Sequence, residues 1–100
     1  MPLLHVAFKD GFDNDEVVVR VNGAEVFRRA GVSTKNQISY ADAFETDVAA
    51  GRTDVDVEVV TKRQHASIPL PIREATYVGV SLDLNGRLTH EVSAQPFGYV

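Results

Sequence analysis

Cysteine and tryptophan are both absent from these 100 residues. Without cysteine the chain cannot form a disulfide, a thiolate zinc site or a thiol nucleophile. No apolar run approaches the roughly 20 residues that a membrane-spanning helix needs. An excess of basic residues is also missing, since 10 Lys and Arg stand against 14 Asp and Glu and the net charge is −4. We therefore expect neither a membrane protein nor a nucleic-acid-binding protein, which normally carries a basic face.

The composition, with 44% hydrophobic and 24% charged residues, is typical of a globular protein. One hundred residues can build one hydrophobic core but not two, so we expect a single domain over residues 1–100. The apolar run at residues 3–8 has no basic stretch before it and ends at Lys9. It predicts a first strand rather than a secretory signal, and together with the lack of cysteine it favours a cytoplasmic protein.

The main structural signal is a period of two. Residues 53–59 place valine at every second position and an acidic residue between them. Because successive side chains of a strand point to opposite faces, this pattern predicts a strand with one dry and one wet face. Three further segments repeat the apolar alternation: residues 4–8, 17–21 and 76–82.

Two Asn-Gly pairs predict hairpins with different loops. At Asn22-Gly23 a two-residue type I′ turn gives pairs of matching character. The predicted pairs are Val21 with Ala24, Arg20 with Glu25, Val19 with Val26, and Val18 with Phe27. At Asn85-Gly86 only a three-residue loop with Gly86 in the left-handed position keeps apolar residues on one face. In the register that this loop sets, Asp83 faces Arg87. The predicted pairs are Leu82 with Leu88, Val80 with His90, and Val78 with Val92.

The remaining segments complete a sandwich. Residues 66–72 alternate but contain Pro69 and Pro71, so they predict an edge strand or an extended segment. Residues 37–40 and 44–48 predict two short strands, with a short helix capped by Ser39 as the alternative. The count of eight or nine short strands predicts an all-β, antiparallel two-sheet β-sandwich, immunoglobulin-like or related in topology.

The loop at residues 10–16 is the densest group of oxygen ligands in the sequence. Asp10, Asp13, Asp15 and Glu16 offer four carboxylates within seven residues, and Ca²⁺ prefers six to eight hard oxygens. The EF-hand pattern is absent. The loop therefore predicts either a Ca²⁺ site built on these four residues or a turn whose Asp and Asn side chains cap their own backbone.

No catalytic constellation can be assembled from the sequence. His5 and His90 fall in predicted strands without converging, and His65 falls in a predicted polar loop. His90 is expected to be half-buried on the inner face. The chain also lacks a Ser-His-Asp order and a glycine-rich phosphate loop, so we expect that it is not an enzyme and needs no cofactor.

Two surface features suggest partners. The acidic row on residues 54–58 predicts either an exposed face with cross-strand ion pairs or a recognition face for a basic partner. Phe97 and Tyr99 in the tail predict packing on this domain or on a neighbouring copy, which would give self-association. The function that fits best is a non-catalytic interaction or accessory module. The alternative is a Ca²⁺-assisted carbohydrate-binding module that uses residues 10–16.

Overall fold

A computed structural model describes residues 1–35 and 37–97. In chain order its strands are β1 (Leu3–Phe8), β2 (Asp15–Val21), β3 (Ala24–Val32), β4 (Asp42–Asp47), β5 (Gly51–Val59), β6 (Gln64–Ile72), β7 (Thr76–Leu82) and β8 (Leu88–Ser93). One 3-10 turn, Val60–Lys62, joins β5 to β6. Within the described ranges no helix is long and apolar enough to cross a bilayer.

The strands form two layers, as the sequence predicted, and each layer has four strands. One sheet has the order β4-β1-β7-β8 and the other has the order β3-β2-β5-β6. Every pair is antiparallel except β1 and β7, which run parallel. The prediction of a small two-sheet β-sandwich is confirmed.

Alternating apolar residues from both sheets fill the space between the layers. Val55, Val57 and Val59 are fully buried there, and the acidic residues between them face outward. The first sheet supplies the opposing layer, whose largest buried side chains are Leu4, Val6, Phe8, Val78 and Val80. Burying apolar area of this kind is the main force that holds two sheets together.

The hairpin at Asn22-Gly23 is half as predicted. Both turn residues have positive φ, 49° and 85°, as a type I′ turn requires. The pairs Val21 with Ala24 and Arg20 with Glu25 are confirmed. The next two predicted pairs, Val19 with Val26 and Val18 with Phe27, are wrong.

A β-bulge at Val26 causes this difference. It shifts the register so that Val19 lies opposite Phe27 and Val26 is left 39% exposed. The shift turns the Phe27 ring inward, where it stacks on Phe44 at 4.4 Å and on Phe8 at 5.8 Å between ring centroids. The free energy gained by burying and stacking the Phe27 ring therefore exceeds the cost of interrupting the regular strand pairing at one residue.

The hairpin between β7 and β8 has the predicted register throughout. Leu82 pairs with Leu88, Val80 with His90, and Val78 with Val92. Gly86 has φ of 77°, in the left-handed region that the bulged three-residue loop requires. However, His90 is exposed rather than half-buried, because β8 is the edge strand of its sheet.

The less regular predictions had mixed outcomes. The proline-bearing segment is an edge strand, β6, as predicted. That strand begins at Gln64, so His65 pairs with Glu58 and does not lie in a loop. Residues 37–40 form a turn rather than a strand. The strand predicted at 44–48 is confirmed as β4, which begins two residues earlier and ends one residue earlier, and the alternative helix is wrong.

Candidate functional site

Two of the acidic side chains of β5 form ion pairs and hydrogen bonds with residues of the neighbouring strands β2 and β6. Arg20 on β2 donates to Glu58 at 3.1 Å. Asp56 accepts a hydrogen bond from the Ser67 hydroxyl and lies 3.6 Å from Nε2 of His65, both on β6. These cross-strand contacts match the expectation of an exposed face with internal ion pairs.

The same outer face carries a second set of ion pairs around Arg28. Its guanidinium donates to Glu16 at 2.8 Å and to Glu25 at 2.9 Å. The hydrogen bond from Arg28 lowers the pKa of Glu25, and the bond to Glu25 raises the pKa of Arg28. Val18, which lies between Arg28 and Glu58 in the register, is fully buried although it faces outward. The long charged side chains therefore also cover apolar surface.

Asp15, the first residue of β2, is the one carboxylate of residues 10–16 that is buried, at 1% exposure. It accepts hydrogen bonds from the amide of Asp13 at 2.9 Å, from Nζ of Lys62 at 2.7 Å and from the Thr61 hydroxyl. Burial alone raises the pKa of this carboxyl, but these hydrogen bonds and the Lys62 charge lower it below its usual value. Asp15 therefore fixes the Val60–Lys62 turn against the start of β2.

The other three acidic residues of this loop have separate environments. Glu16 binds Arg28 on the outer face. Asp10 and Asp13 are exposed and line a hollow of about 680 Å³. In residues 1–35 and 37–97 no three ligand-type side chains are grouped as a metal site. The Ca²⁺ site predicted on Asp10, Asp13, Asp15 and Glu16 stays a prediction.

That hollow, which we call the acidic hollow, lies where the β1–β2 and β7–β8 loops meet. Asp83 joins Asp10 and Asp13 in its wall, together with Lys62 and Leu84. Leu84 is fully exposed at the tip of the β7–β8 loop. Asp83 and Leu84 were not grouped with residues 10–16 from the sequence, because the two segments are distant in the chain.

His5 and Glu45 form a hydrogen-bonded pair on the outer face of the first sheet. Nδ1 of His5 is 2.9 Å from Oε2 of Glu45, and its ring lies 5.4 Å from the ring of Tyr77. The imidazole opens into a shallow hollow of about 280 Å³ that Tyr40 also lines. His90 lies two strands away, on the other face of the sheet. The histidines do not converge, as the sequence analysis expected.

An apolar hollow lies at the end of the second sheet opposite the acidic hollow. It is lined by Gly51, Arg52 and residues 69–73, and its volume is about 510 Å³. Arg52 on β5 lies opposite Pro71 on β6, and Arg73 follows the end of β6. We call this surface the basic hollow. Its volume lies within the range of ligand-binding clefts.

The two arginines of the basic hollow differ from Arg20 and Arg28 of the outer face in forming no ion pair with an acidic side chain of the described residues. Within the described ranges neither Arg52 nor Arg73 has a salt bridge or a side-chain hydrogen bond. Two charged donors therefore lie beside an apolar lining of proline and leucine. This site was not predicted from the sequence, although Arg52 and Arg73 flank the two alternating segments that form it.

The tail is described only as far as Phe97. Phe97 is half-buried, and Nζ of Lys9 lies 4.8 Å from its ring centroid. Lys9 also donates to Glu91 at 2.9 Å. Tyr99 lies outside the described residues, so the predicted contact through Phe97 and Tyr99 with a neighbouring copy stays a prediction.

Comparison of the chain with models of protein families, with curated proteins and with solved structures found no match. The geometry of the site is therefore the basis of the functional argument.

Proposed function

We propose that this protein is a non-catalytic interaction module that binds acidic, leucine-bearing segments of a protein partner in the basic hollow. The observation that supports the proposal is the pair of guanidinium groups, Arg52 and Arg73, that lack an acidic partner beside apolar side chains. A partner carboxylate can accept two parallel hydrogen bonds from an arginine, and an apolar side chain can fill the lining.

Side-chain docking suits this edge better than addition of a partner strand. A strand that joins a sheet edge needs free backbone donors. Pro69 and Pro71 have no N–H, so β6 is short of donors where it borders the hollow. The prolines instead offer rigid apolar rings at no cost in side-chain entropy. The hollow therefore favours a partner that inserts side chains.

A direct test uses a fluorescein-labelled hexapeptide of alternating aspartate and leucine, with anisotropy as the readout. The wild-type protein should bind it saturably, and the double variant R52E/R73E should bind at least tenfold more weakly. The matched probe is a lysine–leucine hexapeptide, which should prefer that variant because the charges are exchanged. Equal binding of the aspartate–leucine peptide by both proteins, or by neither, would contradict the proposal.

The proposal includes an immunoglobulin-like topology, which the two four-stranded layers support, and a cytoplasmic location, which the cysteine-free sequence supports.

The alternative function, a Ca²⁺-assisted carbohydrate-binding module, has weaker support. Two of its four carboxylates, Asp15 and Glu16, are already engaged by Lys62 and Arg28.

A further inference from the structure

The β7–β8 loop presents Leu84 on a well-supported tip. The backbone amide of Asp83 donates to the carbonyl of Arg87 at 2.9 Å, and that of Gly86 donates to the carbonyl of Asp83 at 2.9 Å. Oδ1 of Asp83 accepts from the amides of Asn85 and Arg87 at 2.8 and 2.9 Å. The backbone of the tip is therefore held in place while its leucine side chain is fully exposed. Exposed leucine on a supported tip is well suited to insertion into a pocket.

The surroundings of this tip are acidic. Asp10, Asp13 and Asp83 share the acidic hollow with Leu84. Among the described residues Asp10 and Asp13 have no salt bridge. The Lys62 ammonium in the same wall is bound to Asp15. Two other cations near this end, Arg63 and Arg87, do not line the hollow.

The two hollows lie at opposite ends of the molecule. Strand β5 begins at Gly51, in the basic hollow, and its last residue adjoins the Val60–Lys62 turn at the acidic end. Nine residues of extended chain span about 26 Å at roughly 3.3 Å per step. The longest dimension of the molecule is 33 Å. An apolar tip with unpaired acids thus lies at one end, and an apolar hollow with unpaired arginines at the other.

We propose that the basic hollow receives the Leu84 tip of a second copy of this chain, so that copies associate end to end. Leu84 enters the lining formed by Pro69 and Pro71, while Asp10 and Asp13 of that copy meet Arg52 and Arg73. This inference rests on the proposed function and names its partner. It is carried by the complementarity of the two ends, both in charge and in apolar character.

End-to-end contact leaves one free hollow and one free tip at the ends of every assembly. Such a heterologous contact continues into open chains, or into a ring if the rotation closes. One leucine and a few ion pairs make a small contact, of the class that buries less than about 1,200 Å² and associates weakly. The assembly should therefore grow with concentration and dissociate with salt.

Sedimentation velocity of the full chain over a concentration series tests this inference. The mean mass of the wild type should rise past the dimer with concentration. It should fall when salt is raised from about 0.1 M to about 1 M, as the screening length drops from about 10 Å to about 3 Å. A mass that stays at the monomer or stops at the dimer would overturn the inference.

A charge exchange between the ends identifies the contact. R52E/R73E and D10K/D13K should each be monomeric alone, because each brings like charges together. An equimolar mixture should associate again, since both kinds of contact then join opposite charges. The control V26E, which adds an acidic charge at an exposed position of β3 that lines neither hollow, should behave as the wild type does. A mixture that stays monomeric would contradict end-to-end docking.

The result also separates this inference from the proposed function. If the wild type stays monomeric while the aspartate–leucine peptide binds at the basic hollow, this inference fails and the proposed function stands. If the wild type associates and the charge exchange restores association, both stand. If neither association nor peptide binding occurs, both fail.

Discussion

The outer face of the β3-β2-β5-β6 sheet and the basic hollow at its end contain the same type of cation but differ in how it is paired. On the face, Arg20 and Arg28 each hold a glutamate within 3.1 Å. In the hollow, Arg52 and Arg73 have no such partner within the described ranges. The difference shows that abundance of charge is a poor guide to a binding surface. Paired charges maintain the fold, and unpaired charges are available to a partner.

Asp15 is the most buried of the paired charged residues, so its replacement should have the largest effect on stability. Replacing Asp15 with alanine leaves the Thr61 hydroxyl and the Asp13 amide without an acceptor and Lys62 without its partner. We expect the free energy of unfolding to fall by about 2 kcal/mol, as for other lost buried hydrogen bonds. Urea denaturation measures it. A control, Asp10→Ala, should have little effect because that side chain is exposed, and equal losses for the two variants would contradict the account.

The pH dependence of stability should report the same carboxylate. The pKa of Asp15 in the folded state lies below its ordinary value of 3.8. Its contribution is therefore present at higher pH and is lost as the pH falls below about 4 towards the folded-state pKa. The difference in Tm between wild type and Asp15→Asn should be largest near neutral pH and shrink in acid. A difference that grows as the pH falls would contradict this assignment.

Arginines of the two regions should respond differently to removal of their charge. Arg20→Met should cost about 0.5 kcal/mol, the scale of a partly exposed ion pair, and less at high salt. Arg52→Met and Arg73→Met should change stability by less than about 0.5 kcal/mol while weakening binding of the aspartate–leucine peptide. Parallel urea denaturation and anisotropy provide both values. If Arg20→Met weakened peptide binding as much as the other two, the distinction between the regions would be lost.

Calcium should have the smallest effect. Because Asp15 is held by Lys62 and Glu16 by Arg28, the 10–16 loop has few carboxylate oxygens left for an ion that prefers six to eight ligands. We expect calorimetric titration with Ca²⁺ to give no saturable heat and the Tm to stay constant. Saturable binding with a rise in Tm would favour the carbohydrate-binding alternative.

How much the sequence could predict depended on how local the decisive contacts were. The β5 alternation and the Leu84–Gly86 loop follow from neighbours in one strand or hairpin, and both were predicted correctly. The bulge at Val26 was missed because it depends on Phe27 meeting Phe44 of the other sheet. The turn at 37–40 was missed because it is closed by Lys35 and Tyr40 and continues into the backbone contact of residue 41 with β1.

The candidate site was harder to predict for the same reason. Its arginines come from β5 and from the residue after β6, and no local pattern shows that they form no salt bridge. The four carboxylates of the 10–16 loop are close in sequence, yet the structure directs them to different partners. Closeness along the chain therefore suggested a metal site more strongly than the structure supports, and it gave no sign of the basic hollow.

The most direct test of the account is an amide ¹H–¹⁵N correlation spectrum of the protein titrated with the aspartate–leucine hexapeptide. The account predicts shifts confined to residues 51–52 and to the N–H groups around Leu70, Ile72 and Arg73 in the basic hollow. Shifts confined instead to the paired outer face at residues 16–20 and 54–58, or no shifts at all, would contradict it.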